Sequence, residues 1–156
     1  MIEITIPGKG SYKFKHLVLD LNGTVALDGE IIEGVKERLQ QLSSLVSISI
    51  VTADTHGSAR RLEKSLNIRI QRIEAGKEDA QKLALVQQLG KDNTICIGNG
   101  SNDASMLKES ALGICVAGAE GASGEAILNS DLIVSNINDA LDLLLKPNRL
   151  VATLRK

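Results

Sequence analysis

Residues 16–25 run His16-Leu17-Val18-Leu19-Asp20-Leu21-Asn22-Gly23-Thr24-Val25. Leu17 to Leu19 is a short unbroken apolar run. It ends on the carboxylate of Asp20 and the turn-forming pair Asn22-Gly23. An apolar run without alternation suits a strand covered on both faces, as in a parallel sheet. In open α/β sheets ligands bind just beyond the carboxyl ends of such strands, so Asp20 marks a candidate site.

Two other predicted strands end on similar chemistry. Val46 to Thr52 runs into Ala53-Asp54, and Thr94 to Ile97 runs into Gly98-Asn99-Gly100-Ser101-Asn102-Asp103. Helical spacing of Val35, Leu39, Leu42 and Leu45 predicts a helix over Glu33 to Leu45. Further helices are expected over Ser58–Leu66, Lys77–Leu89 (ended by Gly90), Asp103–Glu109, Ala122–Leu128 and Ile137–Leu145. Strands are expected over Ile68–Ile73, Leu112–Val116 and Leu132–Val134. Strands alternating with helices predict a doubly wound parallel α/β sheet with helices on both faces. Ahead of it, Ile2, Ile4 and Ile6, a Pro7-Gly8-Lys9-Gly10 turn, then Tyr12 and Phe14 predict a β-hairpin. A smaller excursion over Val25 to Ile32 turns at Asp28-Gly29. The chain therefore divides into a hairpin (1–15), a core (16–146) and, after the stop at Pro147, a C-terminal helix (147–156), all in one domain.

Composition excludes several function classes. The 156 residues are 43% hydrophobic and 24% charged, ordinary for a globular domain. Lys+Arg numbers 18 against 19 for Asp+Glu, a net charge of −1, which argues against binding nucleic acid by phosphate neutralisation. Tyr12 and Phe14 are the only aromatics, so there is no stacking platform for single strands. Cys96 and Cys115 sit in apolar runs and are expected as buried free thiols rather than zinc ligands. His16 and His56 have no metal-ligand spacing and receive no role. No segment reaches the roughly 18 apolar residues of a membrane span, so a cytoplasmic protein without a membrane partner is expected.

Together the three strand ends offer carboxylates, amides, hydroxyls and tight glycines, suited to holding phosphate and Mg²⁺, a hard cation that takes oxygen ligands. From Leu17 to about Lys146 the motifs, in order, resemble the haloacid dehalogenase superfamily, and more narrowly the phosphorylation domain of P-type ATPases in a stand-alone form. Asp20 to Val25 is similar to the nucleophile motif Asp-x-Asp-Gly-Thr. Thr52 matches the hydroxyl of the second motif. Lys77-Glu78-Asp79-Ala80-Gln81-Lys82 resembles the lysine helix, with Lys82 favoured over Lys77. Ile97 to Leu107 is similar to the Gly-Asp-Gly-x-Asn-Asp-Ala loop.

The resemblance implies a capless, Mg²⁺-dependent phosphohydrolase or phosphotransferase. Asp20 would be the nucleophile, and its aspartyl-phosphate splits one displacement into two easier ones. Gly23, Thr24, Thr52, Ala53 and Lys82 would hold the phosphoryl group. Asp20, the backbone carbonyl of Asn22, Asn99 and Asp103 would hold Mg²⁺. Two departures bear on rate. Asn22 stands where phosphatases of the family have a general acid/base aspartate, and an amide cannot shuttle a proton. Asn99 stands where a carboxylate usually meets the metal. Thr52 lies 32 positions after Asp20 and Lys82 lies 30 after Thr52, intervals too short for a lid domain. The substrate would be a phosphorylated small molecule or protein, with a second copy of the chain as a cover for the open site. Two alternatives stand beside this: a catalytically weakened phosphate-binding regulator, and a metal-independent dehalogenase-type hydrolase. An EF-hand loop at Asp20 fails, because Val25 occupies the glycine position and Ile31 that of the final glutamate.

Overall fold

The computed structural model describes residues 1–54 and 57–156; His56 lies outside them. Among the described residues there are ten strands and seven helices, and in the core they follow the predicted alternation. The hairpin is β1 (Ile2–Ile6) and β2 (Gly10–Phe14), paired antiparallel with Ile2 opposite Phe14. The first core strand is β3 (His16–Asp20). A miniature hairpin follows, β4 (Ala26–Leu27) and β5 (Glu30–Ile31), turning through Asp28 (φ 52°) and Gly29 (φ 80°). Positive φ at both central residues is what a two-residue turn between right-twisted strands requires.

The core continues with α1 (Val35–Ser43), β6 (Ser47–Thr52), α2 (Ser58–Leu66), β7 (Ile70–Arg72) and α3 (Glu78–Leu89). After β8 (Thr94–Gly98), a 3₁₀ turn over Ser101–Asp103 leads into α4 (Ala104–Glu109). The last elements are β9 (Leu112–Val116), α5 (Gly124–Leu128), β10 (Leu132–Val134), α6 (Ile137–Leu145) and α7 (Pro147–Leu154). Proline at the first position of α7 needs no N–H partner, so it ends α6 and starts a new helix.

The six core strands are parallel, in the order β10-β9-β8-β3-β6-β7. Chain order runs outward from β3 to β7, then returns to the other side of β3 with β8. The reversal falls between β3 and β8, where a doubly wound sheet leaves a crevice.

Side chains of β3 alternate between two apolar layers. Leu17 and Leu19 pack in the larger one with Ile50, Ile95, Ile97 and the inner faces of α1, α6 and α7. Ile2, Ile4, Ile6 and Phe14 extend that layer, so the hairpin is part of the core. Val18 faces the smaller layer with Val51, Val86, Met106, Leu107, Ala126 and both cysteines. Cys96 and Cys115 are buried free thiols, as expected, and burial pushes the Cys96 thiol up to about 12, which keeps it inert. Among the described residues no helix is long and apolar enough to cross a membrane. Nor does a separate lid interrupt them: the chain from β3 to β6 holds only the miniature hairpin and α1, and that from β6 to α3 holds α2 and β7.

Candidate active site

The carboxyl ends of β3, β6 and β8 open on one cleft of about 490 Å³, lined by Asp20, Asn22, Thr52, Ala53, Asp54, Lys82, Asn99, Gly100, Asn102 and Glu120. At its floor is a buried charge cluster. Lys82 Nζ, on α3, donates to Asp20 Oδ1 at 2.8 Å and to Asp103 Oδ1 at 2.7 Å. It also lies 3.4 Å from Asn102 Oδ1. Lys82 is 1% exposed and Asp103 is 0% exposed, so these pairs are shielded from solvent. Lys77, by contrast, is an exposed residue at the start of α3, and the ammonium in the cleft is that of Lys82.

One ammonium serves two carboxylates, and the surplus negative charge sets the electrostatics. Burial, with the charge of Asp103 beside it, pushes Asp20 up to about 7 against the pull of Lys82. Burial draws the Lys82 ammonium down, but Asp20 and Asp103 outweigh it and hold it above its ordinary value. Lysine therefore stays charged, and Asp20 is the group that carries the strain of the excess charge.

Asp103 folds back on its own loop. Its Oδ2 accepts from the backbone N–H of Asn99 and of Gly100, both at 3.0 Å. That leaves no room for a side chain at 98: a Cβ on Gly98 would stand 2.4 Å from Asp103 Cγ. With Lys82 and two amides as donors, most of the acceptor capacity of Asp103 is already used.

Gly23 and Thr24, the residues that the motif resemblance assigned to the phosphoryl group, have their backbone amides engaged within the loop. The N–H of Gly23 donates to Ala26 O at 2.8 Å, and that of Thr24 reaches Leu21 O at 3.3 Å. Thr24 is fully buried; its hydroxyl lies 3.3 Å from both Asp20 Oδ2 and Asn99 Oδ1. These two residues shape and brace the loop: Gly23 (φ 78°) takes the left-handed conformation and Thr24 links the ends of β3 and β8.

Thr52 faces the cleft from β6. Its Oγ1 accepts from the N–H of Asp54 at 3.0 Å and from Asn22 Nδ2 at 3.4 Å. Both contacts use the oxygen as acceptor, so among the described residues its O–H is left to donate. Ala53 lies beside it on the cleft wall.

Glu120, which belongs to none of the motifs, also lines the cleft. It follows β9 in a short turn and lines the cleft from the Asn99 side. The only signal for it was its place beyond the carboxyl end of a core strand.

A family model described as haloacid dehalogenase-like hydrolase matches residues 67–140. An uncharacterised protein of Methanocaldococcus jannaschii is 50% identical over 92 residues, 56% of this chain and 99% of that protein. The soluble P-type ATPase-like phosphatase of the same organism is 29% identical over 123 residues, which cover 77% of this chain and 45% of the phosphatase. The chain thus matches less than half the length of that relative. Among solved structures, the 3-deoxy-D-manno-octulosonate 8-phosphate phosphatase of Moraxella catarrhalis, in complex with magnesium and phosphate, shares the fold. Its TM-score is 0.66 at 22% identity, over 91% of this chain and 94% of that one. A doubly wound sheet with an Asp–Lys–Asp cluster at its switch point defines a class, and the comparisons support a haloacid dehalogenase-like hydrolase, the family whose model matches residues 67–140.

Proposed function

We propose that the protein is a phosphohydrolase or phosphotransferase that works through Asp20 with a divalent cation, Mg²⁺ by preference. One observation carries this: a carboxylate at the end of the central strand is held on a buried lysine, opposite a threonine hydroxyl free to donate. The relatives support the phosphatase assignment, since one is a P-type ATPase-like phosphatase and the fold neighbour is a sugar-phosphate phosphatase.

The donor set fits a hard cation. Asp20, the amide oxygen of Asn99 and the carbonyl of Asn22 are all oxygen ligands, and the buried cluster has one positive charge too few. A bound Mg²⁺ would supply that charge and shield the nucleophile from the phosphoryl oxygens. Asp103, bound to Lys82 and the loop amides, serves mainly to hold the lysine and the Asn99 loop in place.

In the proposed reaction an oxygen of Asp20 attacks phosphorus, the ester oxygen departs, and an aspartyl-phosphate forms. Lys82 neutralises charge on nucleophile and phosphoryl group, and Thr52 donates its O–H to a phosphoryl oxygen. Such transfers rest mainly on positioning and electrostatics. Water then cleaves the acyl phosphate. Asn22 has no proton to take or give at this step, and its amide lies 3.4 Å from Thr52 Oγ1. A positioned base contributes ~10²–10⁴-fold, so hydrolysis is slow. The same amide favours a second role, a phosphate-binding regulator that holds its adduct. The cleft has no lid among the described residues, which suits a phosphorylated small molecule or a phosphorylated protein surface.

The test is turnover of a chromogenic phosphate ester with and without Mg²⁺. Slow, Mg²⁺-dependent release that vanishes in Asp20→Asn is expected. Equal release by wild type and Asp20→Asn would contradict it.

A further inference from the structure

Resting on the divalent-cation site just proposed, a question of charge remains. The protein groups offered there include one available carboxylate, Asp20. Asn99 is neutral and Asp103 is bound to Lys82, and affinity for hard cations follows the charge count of the ligands.

Glu120 occupies the third position of a β-turn, Gly118 to Gly121, closed by the N–H of Gly121 on Gly118 O at 2.9 Å. Its carboxylate lies directly over Gly23. A Cβ added at Gly23 would meet Glu120 Oε2 at 1.9 Å, Glu120 Cδ at 2.9 Å and Asn99 Nδ2 at 2.7 Å. Gly23, Asn99 and Glu120 therefore converge on one spot of the cleft, next to the loop that carries Asp20 and the carbonyl of Asn22. Among the described residues no ion pair or hydrogen bond engages the Glu120 carboxylate.

The turn is moored to Asn99 itself. Asn99 Nδ2 donates to Gly121 O at 3.2 Å, and the N–H of Ser123 donates to Asn99 O at 2.9 Å. The first of these bonds requires an amide, because an ionised aspartate has no hydrogen to give. The amide at 99 and the acid at 120 thus form one arrangement. Asn99 keeps an oxygen near Asp20, and its nitrogen fixes the turn that brings a carboxylate to the same side. Glu120 thus lies beside Asn99, whose Oδ1 Thr24 links to Asp20.

We infer that Glu120 is a ligand of the divalent cation and supplies the carboxylate charge that Asn99 lacks. The role is that of a metal-site residue on a turn, contributed from beyond β9.

Calorimetric titration with MgCl₂ alone, without phosphate or substrate, tests this. Wild type, Asp20→Asn, Glu120→Gln, Asn99→Asp and the pair Glu120→Gln/Asn99→Asp are compared. Glu120 is exposed, so Glu120→Gln keeps its shape and should not disturb folding. The expected result is a loss of Mg²⁺ affinity of about tenfold or more in Glu120→Gln and in Asp20→Asn. Recovery is expected in the double variant, where the charge returns at 99. Competition by Mn²⁺, read by its electron spin resonance signal, should follow the same order. Wild-type affinity in Glu120→Gln, with affinity lost in Asp20→Asn, would overturn the role of Glu120 and leave the proposed function standing. Binding by Asn99→Asp but not by wild type would also overturn it, since Glu120 would then supply nothing. Absence of Mg²⁺ binding in every protein would remove both this inference and the metal-dependent function.

Discussion

Lys82 holds the site together. Among the described residues its ammonium is the one cation paired with both Asp20 and Asp103, and removing one partner of a buried ion pair strands the other. Lys82→Met should therefore cost about 3 kcal/mol at neutral pH, read as a fall in the denaturant midpoint. Unchanged stability would mean that water reaches Asp103 and replaces the lysine. Asp20 behaves in the opposite sense. Its folded-state value of about 7 lies above the ordinary 3.8, so the metal-free native state binds the extra proton between those limits. Stability then falls as pH rises from about 4 through 7, because the unfolded chain gives up that proton first. Asp20→Asn should flatten this slope and be at least as stable as wild type at pH 8 in chelator. A wild-type slope that is flat, or rises with pH, over that window would contradict the surplus-charge account. A site that destabilises its own fold without its ligand is the usual cost of function.

At the scale of elements, loop geometry matters more than helix or strand strength. β8 ends on Gly98 so that Asp103 can fold back over it, and Gly98→Ala would set a Cβ 2.4 Å from Asp103 Cγ. That substitution should cost about 1–3 kcal/mol by overpacking and should weaken Mg²⁺ binding through the displaced Asn99 loop, both measurable on one preparation. A variant with wild-type stability and affinity would show the loop to be more compliant than its close contacts imply. The alternation of elements was legible in the sequence because buried strands such as Leu112–Val116 read as continuous apolar runs and the helices carry 3.6-residue spacing. Strand ends bearing Asp20, Thr52 and Asn99 marked the cleft for the same reason. The hydrogen bonds of the loops were not legible. That Gly23 and Thr24 turn their amides inward depends on where Leu21 O and Ala26 O come to lie. That Asp103 turns toward Lys82 depends on a contact across 21 positions of chain. Glu120 escaped because a glutamate in a Gly-rich turn looks like an ordinary solvated residue until the turn is placed beside Gly23.

For the molecule as a whole, structural and chemical tasks fall on opposite parts of the chain. The hairpin and α7 complete the larger apolar layer, with Leu150 and Leu154 packed in the same cluster as Ile2, Ile4 and Ile6, while the cleft lies at the carboxyl ends of β3, β6 and β8. Leu150 is 1% exposed, so Leu150→Ala should cost about 3 kcal/mol by burial loss and cavity formation. Mg²⁺ affinity and ester turnover, measured well below the lowered melting point, should stay at wild-type values. Lost activity in a folded Leu150→Ala protein would mean that this apolar layer and the cleft are coupled. The central claim is that the whole fold serves to make Asp20 a phosphoryl acceptor, and trapping the adduct tests it most directly. The protein is incubated with acetyl phosphate and Mg²⁺, quenched in acid, and mapped by mass spectrometry. The account predicts one phosphoryl group on the peptide containing Asp20, stable in acid, labile in base, and absent from Asp20→Asn. Phosphate on any other residue, or equal labelling of wild type and Asp20→Asn, would contradict it.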